Sequence, residues 1–198
     1  HHMRLSVKLR LGDDDFTPEG FFSFCDMLVS NGIEMITLHP RTKKQKYREH
    51  AQWTYVEQLA LRYDGTNGKP DIPIILNGDV SDKATYSAAV QAAPHAAGIM
   101  IARAAAQKPW IFSELRGSPE QTIDMQQLAL DFITDVEKYQ PAEFWKTRLQ
   151  RFFAYYCLNF SFAHYFQSSM LNAKDNNDSR ERVEDYFRRC PEDRDKKV

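Results

Sequence analysis

Two apolar runs are the most informative part of the sequence: Ile74-Ile75-Leu76-Asn77-Gly78-Asp79-Val80 and, further along the chain, Gly98-Ile99-Met100-Ile101-Ala102-Arg103. Each has the length of a strand and stops abruptly at small or polar residues, as buried parallel strands do where they meet a ligand-bearing loop. Gly78 lacks a Cβ, so backbone N–H groups can approach an anion there. Taken alone, an Asn-Gly-Asp triplet is more often a turn than a cofactor site, and the rest of the chain has to decide between the two.

Two earlier segments have the pattern of strands that each deliver a cation at their C-terminal ends. Residues 5–10 alternate apolar and polar side chains before Gly12, and residues 33–38 run into His39-Pro40-Arg41-Thr42. Helices are predicted over 18–31, 53–63 and 81–92, one before each later strand. Strand and helix thus alternate in four units, which implies a parallel sheet with right-handed crossovers. Two consecutive polar strand ends suggest the phosphate pocket of a TIM barrel.

Several motifs follow one another in a specific order. They are Val7-Lys8-Leu9-Arg10-Leu11-Gly12, Thr37-Leu38-His39-Pro40-Arg41-Thr42-Lys43-Lys44-Gln45, Ala51-Gln52-Trp53, Asn77-Gly78-Asp79-Val80, Gly98-Ile99-Met100-Ile101-Ala102-Arg103-Ala104 and Lys108-Pro109-Trp110-Ile111-Phe112. In order and spacing the chain resembles the tRNA-dihydrouridine synthase family from about residue 4 to about residue 115, and less closely beyond. Ala102, Lys108 and the run Gln45-Lys46-Tyr47 are more similar to its eukaryotic-type subgroup.

The resemblance implies an α/β fold: strands 5 to 8 of a TIM (β/α)8 barrel over residues 4–117, followed by a helical tRNA-binding domain over residues 120–198. Family members also carry an Ala-Pro-Met-like flavin contact and an Asn-x-Gly-Cys-Pro segment whose cysteine is the general acid, and neither motif occurs here. We therefore expect a C-terminal fragment that holds no catalytic residue. Cys25 lies on the apolar face of a predicted helix and is expected to be a buried structural cysteine.

The resemblance also implies which residues bind the cofactor, FMN. Lys8 would stabilise the negative charge of the reduced flavin, and His39 would hydrogen-bond the flavin or its ribityl chain. The ribityl and phosphate end would be held by Asn77, Gly78, Asp79, Ala102 and Arg103. Without the family match, the residues alone leave open a snorkelling lysine and a structural histidine.

A set of basic residues is expected to contact substrate or RNA: Arg10, Arg41, Lys43, Lys44, Lys146, Arg148 and Arg151. The stretch from Arg41 to Arg48 carries five Lys or Arg residues just beyond a strand end. On charge alone, a solvated loop and a phosphate contact are about equally favoured. Arg10 and Arg41 each follow a predicted cofactor residue by two positions, so strand alternation places them on the same side.

The chain changes character near Arg116, beyond which no strand is predicted. Apolar residues spaced by three and four predict helices over 125–139 and 142–166, and Asp178 with Glu181 resembles the capping box of a last helix that ends near Cys190. A polar, Asn-rich stretch over 173–177 predicts a mobile linker. The second helix is rich in aromatic residues that are expected to fill the core of a bundle: Phe144, Trp145, Phe152, Phe153, Tyr155, Tyr156, Phe160 and Phe162.

The composition of the chain limits the kinds of site and cellular location that we expect. The chain has 198 residues, a formal net charge of -1 and three cysteines. An odd cysteine number with no Cys-x-x-Cys pair argues against a disulfide framework and a zinc site, so we expect no metal and a reducing, cytoplasmic compartment. No apolar run approaches the ~18 residues of a membrane span.

We expect the parent protein to be an FMN-dependent oxidoreductase that reduces a tRNA uridine to 5,6-dihydrouridine with NADPH. Two alternatives stay open: a catalytically inactive tRNA-binding module that lacks the N-terminal half-barrel, and another flavin or sugar-phosphate TIM barrel enzyme. Lys8, His39 and Arg41 together disfavour the last. A four-stranded half-barrel would expose two strand edges and an apolar interior, which predicts a homodimer through those edges and weak or no FMN binding.

Overall fold

A computed structural model of the chain describes residues 3–46, 48–66 and 68–198, so that Tyr47 of the predicted Gln45-Lys46-Tyr47 run lies outside the described residues. The chain forms two compact units, one ending at Ala102 and the other comprising Arg103–Val198. The division falls earlier than the predicted boundary near residue 117.

The first unit contains one parallel sheet whose strand order follows the chain. The strands are β1 (Ser6–Gly12), β2 (Met35–Thr42), β3 (Ile74–Asn77) and β4 (Gly98–Met100), and the helices between them are α1 (Pro18–Ser30), α2 (Thr54–Arg62) and α3 (Lys83–Ala92). The predicted alternation of strand and helix is confirmed. The observed helix boundaries differ from the predicted ones by at most two residues. Thr17 caps α1 by accepting from the Gly20 N–H, and α3 starts two residues later than predicted because Asp82 forms a capping box with Thr85.

The two faces of this sheet differ. Strand residues on one face, among them Leu11, Ile36, Leu38, Ile74 and Leu76, are buried in one apolar cluster with side chains of all three helices. The alternate residues, which include Lys8, Arg10, Thr37, His39 and Asn77, belong to the opposite face. That face is largely polar and basic, with Met35, Ile75 and Met100 as apolar members, so the expectation of an apolar interior is wrong for most of it.

The second unit is mainly helical. Its helices are α4 (Arg103–Gln107), α5 (Ile111–Leu115), α6 (Met125–Tyr139), α7 (Trp145–Tyr156), α8 (Ala163–Leu171) and α9 (Asn176–Arg189), with short 3-10 turns at Ala142–Phe144, Cys157–Asn159 and Pro191–Asp193. The predicted helix over 125–139 is confirmed. The expectation of no strand after residue 116 is wrong, because β5 (Thr122–Asp124) pairs antiparallel with β6 (Asp195–Lys197).

The predicted helix over 142–166 is wrong as a single element. After α7 the chain forms a 3-10 turn and becomes extended at Phe160 before α8 begins. The Asn159 amide donates to the carbonyl oxygens of Tyr156 (2.9 Å) and Gln107 (2.6 Å). The first bond satisfies the Tyr156 carbonyl oxygen, which would accept from the next turn if the helix continued. The second attaches the chain to Gln107 at the break.

The start of α9 also differs from the prediction. Asp175, not Asp178, is the N-cap, since its side chain accepts from the Asp178 N–H at 2.8 Å. The stretch 173–177 is no linker: Ala173 is buried, and the buried Asn176 donates to Glu137 Oε1 at 2.9 Å. An Asn-rich composition therefore marked a helix cap with its first turn rather than a mobile segment.

The aromatic residues divide between the core and the surface of this unit. Phe152, Phe153, Tyr156 and Phe160 are buried as predicted, in a cluster that also includes residues of α6, α8 and α9. Trp145 is half-buried, and the prediction is wrong for the exposed side chains of Phe144, Tyr155 and Phe162. None of the helices in the described part of the chain has both the length and the apolar character that crossing a membrane requires.

Candidate functional site

The register of the parallel sheet brings the polar strand ends of the first unit together. Lys8 lies opposite Thr37 and Arg10 opposite His39, while Asn77 lies opposite Met100. Asn77 is buried, and its amide donates to the Met100 carbonyl at 2.8 Å, which ties β3 to β4. The C-terminal ends of β1, β2 and β3 therefore present a basic residue, an imidazole and an amide at one edge of the sheet.

Arg41 is the centre of a buried network at this edge. Its side chain is 3% exposed, and it donates through Nη2 to Asp79 Oδ2 (2.5 Å) and through Nε to the Glu49 carbonyl (2.6 Å). Its Nη1 lies 3.0 Å from His39 Nε2. Asp79 Oδ2 also accepts from the Ala51 N–H at 2.7 Å. We call His39, Arg41, Ala51, Gly78 and Asp79 the strand-end network, because it joins the end of β2, the following loop and the end of β3.

The backbone after β3 has an unusual conformation. Gly78 has φ +117° and Asp79 has φ +60°, both in the left-handed region. A Cβ at Gly78 would lie 2.8 Å from His39 Cδ2 and 3.1 Å from the Ala51 Cβ. The Gly78 carbonyl accepts from Trp53 Nε1 at 3.0 Å. Only glycine allows the imidazole this close to the backbone, so the loop and the ring are fitted to one another.

Burial and positive neighbours keep His39 neutral. Its pKa falls to about 4, first because the ring is buried and then because Arg10, Arg41 and Lys8 repel a proton, with Asp79 opposing them. Burial and Arg10 also lower the pKa of Lys8. At neutral pH the site therefore combines lysine and arginine cations with an uncharged imidazole, a setting that favours an anionic or electron-rich ligand.

Of the predicted cofactor residues, the first unit brings together Lys8, His39, Asn77, Gly78 and Asp79. The Asp79 carboxylate accepts from the Arg41 guanidinium and the Ala51 N–H. Since a carboxylate repels an anionic cofactor group, the part of Asp79 suited to such a group is its backbone N–H. Ala102 follows β4 at an exposed position, and Arg103 is the first residue of α4 in the second unit.

The predicted RNA contacts have very different surroundings. Lys43, Lys44, Lys146, Arg148 and Arg151 are exposed, and Arg10 is half-buried. Lys43 forms a solvent-exposed ion pair with Asp13 at 2.9 Å. The prediction that Arg41 contacts RNA conflicts with its burial, because its guanidinium is enclosed by Asp79, Glu49 and His39 rather than presented at the surface.

Sequence reasoning missed the pairing of Arg41 with Asp79 and the contact of Trp53 with Gly78. A signal was available for the pairing: residues of opposite charge follow the ends of two adjacent parallel strands, which meet at one edge of the sheet. For Cys25 the prediction is confirmed, since the thiol is fully buried and burial raises its pKa to about 12. Cys157 and Cys190 are buried as well.

Comparison with known proteins identifies the family. A family model described as "Dihydrouridine synthase (Dus)" matches residues 2–193. A probable tRNA-dihydrouridine synthase of Rickettsia conorii is 34% identical over 111 residues, which cover 56% of this chain and 31% of the relative. A tRNA-dihydrouridine(47) synthase (NAD(P)(+))-like protein of Mus musculus is 33% identical over 108 residues, which cover 54% of this chain and 16% of the relative.

A tRNA-dihydrouridine(47) synthase (NAD(P)(+)) of Cryptococcus neoformans is 31% identical over 143 residues, 71% of this chain and 19% of the relative. The matched segment thus spans less than a third of the length of each of these relatives. Because the family model covers nearly the whole sequence, and the strand-end motifs that suggested the family meet at one edge of the sheet, the chain belongs to the dihydrouridine synthase (Dus) family.

Proposed function

We propose that the complete protein reduces a tRNA uridine to 5,6-dihydrouridine in the cytoplasm, with FMN as cofactor and NADPH as reductant. The observation that carries the proposal is that Lys8 lies on the same face of the sheet as a neutral His39, whose ring packs close to Gly78, in a chain of this family. Relatives whose names specify tRNA-dihydrouridine synthesis support the reaction, and two of those names specify NAD(P)(+).

The residues present suit FMN. The backbone at Gly78 and Asp79 is left-handed and lies close to His39, and N–H groups of such a backbone can donate to the phosphate or ribityl oxygens of a cofactor. When bound, FMN supplies hydride transfer to the uracil ring. Lys8 would stabilise negative charge on the cofactor, and His39 would donate a hydrogen bond to it. Asn77 and Ala102 complete the proposed set in the first unit, and Arg103 stays a prediction from the sequence.

The sheet supports the proposal that the first unit is half of a TIM barrel. Four parallel strands in chain order, with the connecting helices packed on one face, repeat the barrel's basic unit. The opposite face, with Lys8, Thr37 and His39, would then line the barrel interior. We assign residues 4–117 to this half-barrel and residues 120–198 to a helical domain that binds tRNA.

The surface of α7 supports a role in RNA binding. Arg148, Arg151 and Tyr155 are all exposed, and their spacing places them on one face of the helix, with Lys146 exposed nearby. Cations interleaved with an aromatic ring suit a phosphate backbone and an unstacked base. Lys43 and Lys44 in the first unit, also exposed, are further candidates for phosphate contacts.

Deletion of the gene in its source organism tests the function. Dihydrouridine is expected to disappear from at least one tRNA position when tRNA nucleosides are mapped by mass spectrometry. Re-expression of the wild-type gene restores it, Lys8→Met does not, and Lys83→Met, which changes an exposed lysine on α3, restores it fully. Unchanged dihydrouridine at every position in the deletion strain contradicts the proposal.

One observation favours the second candidate, a tRNA-binding module without catalysis, for the 198-residue chain by itself. Its three cysteines are buried, and burial raises the pKa of each thiol, so none of them suits the role of a general acid in contact with substrate. We expect tRNA binding without tRNA-dependent NADPH oxidation, together with a homodimeric mass in solution. Turnover by a monomeric chain contradicts this candidate.

A further inference from the structure

The contact between Arg41 and His39 defines which ring nitrogen carries the proton. Arg41 Nη1 lies 3.0 Å from His39 Nε2, and both side chains are buried. A guanidinium has N–H donors only and cannot accept a hydrogen bond. His39 Nε2 must therefore be the acceptor, and the single proton of the neutral imidazole lies on Nδ1.

The charges around the ring favour the same state. Lys8 and Arg10 on β1 and Arg41 on β2 disfavour a second proton, and Asp79 after β3 is the carboxylate that opposes them. Protonation of Nε2 would also place an N–H directly against the Arg41 N–H. The Cδ2 edge of the ring lies close to Gly78, where an added Cβ would be only 2.8 Å away, so the imidazole is packed beside this loop.

Asp79 holds Arg41 in this orientation. Its Oδ2 accepts from Arg41 at 2.5 Å and from the Ala51 N–H at 2.7 Å, while the Glu49 carbonyl accepts from the other side of the guanidinium at 2.6 Å. With Nη2 and Nε directed to these acceptors, Nη1 is the nitrogen that faces His39. Because the guanidinium is planar, its bond to Asp79 after β3 also sets the position of Nη1 beside the His39 imidazole on β2.

We propose that Arg41 and Asp79 are a positioning pair that fixes His39 as the neutral imidazole protonated on Nδ1. It follows that His39 donates one hydrogen bond, from Nδ1, to an acceptor such as a carbonyl or phosphate oxygen. A neutral N–H of this kind is no acid at neutral pH, so His39 does not supply the proton in the reaction. That last consequence rests on the proposed function, whereas the tautomer does not.

Nuclear magnetic resonance of the histidine rings tests the proposal without any assay of activity. The 198-residue chain contains six histidines, and with 15N-labelled histidine the signals of His39 are those lost in His39→Gln. Long-range 1H–15N correlations between about pH 7 and pH 4 are expected to show the Nδ1–H tautomer for His39 and a titration midpoint well below the ordinary histidine value of about 6.5. In Arg41→Met the population is expected to move toward Nε2–H, and the midpoint to rise by about one unit.

Two further variants keep the test decisive. Arg41→Met leaves Asp79 without its cation, so Arg41→Met/Asp79→Asn is made as well, to remove the pair without an uncompensated charge. Arg62→Met is the matched control, since it breaks a partly buried ion pair with Asp26 on the helix side of the same unit and should leave the His39 tautomer unchanged.

The proposal is overturned if His39 of the wild-type chain carries its proton on Nε2, or if a folded double variant keeps the Nδ1–H tautomer. Loss of the Nδ1–H tautomer in the double variant but not in Arg62→Met supports it. The proposed function fails by a different result, namely unchanged dihydrouridine in the deletion strain, which leaves the tautomer assignment intact.

Discussion

Two carboxylates of the first unit, Asp26 and Asp79, each bind an arginine but have different consequences. Asp26 on α1 accepts from Arg62, from the Tyr63 hydroxyl at 2.8 Å and from Lys69 at 2.8 Å. Each of these donors is a side-chain group on or after α2. The hydrogen bond from Arg62 is the largest cause that lowers the pKa of Asp26.

Asp79 divides its hydrogen bonds differently. The Asp79 carboxylate accepts from Arg41 and from the Ala51 backbone N–H, and Asp79 itself has φ +60°. The same arginine also contacts the neutral imidazole of His39. The Asp26 cluster joins two helices, while the strand-end network holds a strained backbone and a titratable ring in one arrangement. Strain and a shifted pKa together are typical of a functional site, whereas an ion pair between helices is typical of the scaffold.

The largest expected effect is that of Gly78→Ala, compared with Gly32→Ala. Both glycines have positive φ, but a Cβ at Gly78 meets His39 at 2.8 Å, while nothing lies within 4 Å of one at Gly32. We expect Gly78→Ala to lower the free energy of unfolding by about 4 kcal/mol and Gly32→Ala by about 1 kcal/mol. Urea denaturation measures both, and equal losses would show that packing against His39 contributes nothing.

The pH dependence of stability separates the two clusters. The pKa of His39 is about 4 in the folded chain and near its ordinary value of 6.5 when unfolded, so the unfolded state gains a proton first as the pH falls. This contribution is therefore present above about pH 6.5 and is lost toward pH 4, by about 3 kcal/mol. Asp26, whose pKa is depressed, loses its contribution only below its ordinary value of 3.8.

Denaturation curves of the wild type and His39→Gln at several pH values check this prediction. The wild type should lose more stability than the variant between about pH 7 and pH 4. Parallel curves for the two proteins would mean that His39 titrates normally.

A smaller effect is expected from Asp26→Asn, which weakens the bonds to Arg62 and Lys69. Because the Asp26 side chain is 29% exposed, the loss should lie between those of buried and surface pairs, at about 2 kcal/mol. Asp13→Asn, in the exposed pair with Lys43, should leave the thermal midpoint almost unchanged, because solvent screens that pair. The thermal midpoint measures both, and a change in the His39 tautomer in Asp26→Asn would show that the clusters are coupled.

The smallest changes are expected on the α7 surface. Arg148→Ala and Arg151→Ala should each reduce tRNA affinity with little effect on stability, and should flatten the slope of log affinity against log salt by about one. Lys174→Ala changes an exposed lysine before α9 and should leave the slope unchanged. Fluorescence titrations over a range of salt measure the slopes, and three equal slopes would remove α7 from the interface.

Local patterns predicted the first unit well and the second less well. In the first unit, strands and helices alternate as predicted, because each is short and is bounded by glycine, proline or a capping residue. In the second, β5 and β6 pair residues from opposite ends of the unit, such as Thr122 with Lys197. The break after Tyr156 depends on Asn159 reaching Gln107. Both contacts join residues that are far apart in the sequence, so the spacing of apolar residues within one segment could not predict them.

Local sequence patterns were enough to predict the alternating strands and helices of the first unit, the polar strand ends and the buried Cys25, because periodicity and turn chemistry act between near neighbours. These patterns also assigned Lys8 and His39 to neighbouring strands and Gly78 to the residue after the next strand. Folding is what buries Arg41 against Asp79 and places Arg41 Nη1 3.0 Å from His39 Nε2, the contact from which the Nδ1 tautomer is inferred. From the sequence alone, a cation near the end of a strand could bind either RNA or a carboxylate of the same chain. Its burial and its distance from a carboxylate on the neighbouring strand distinguish the two.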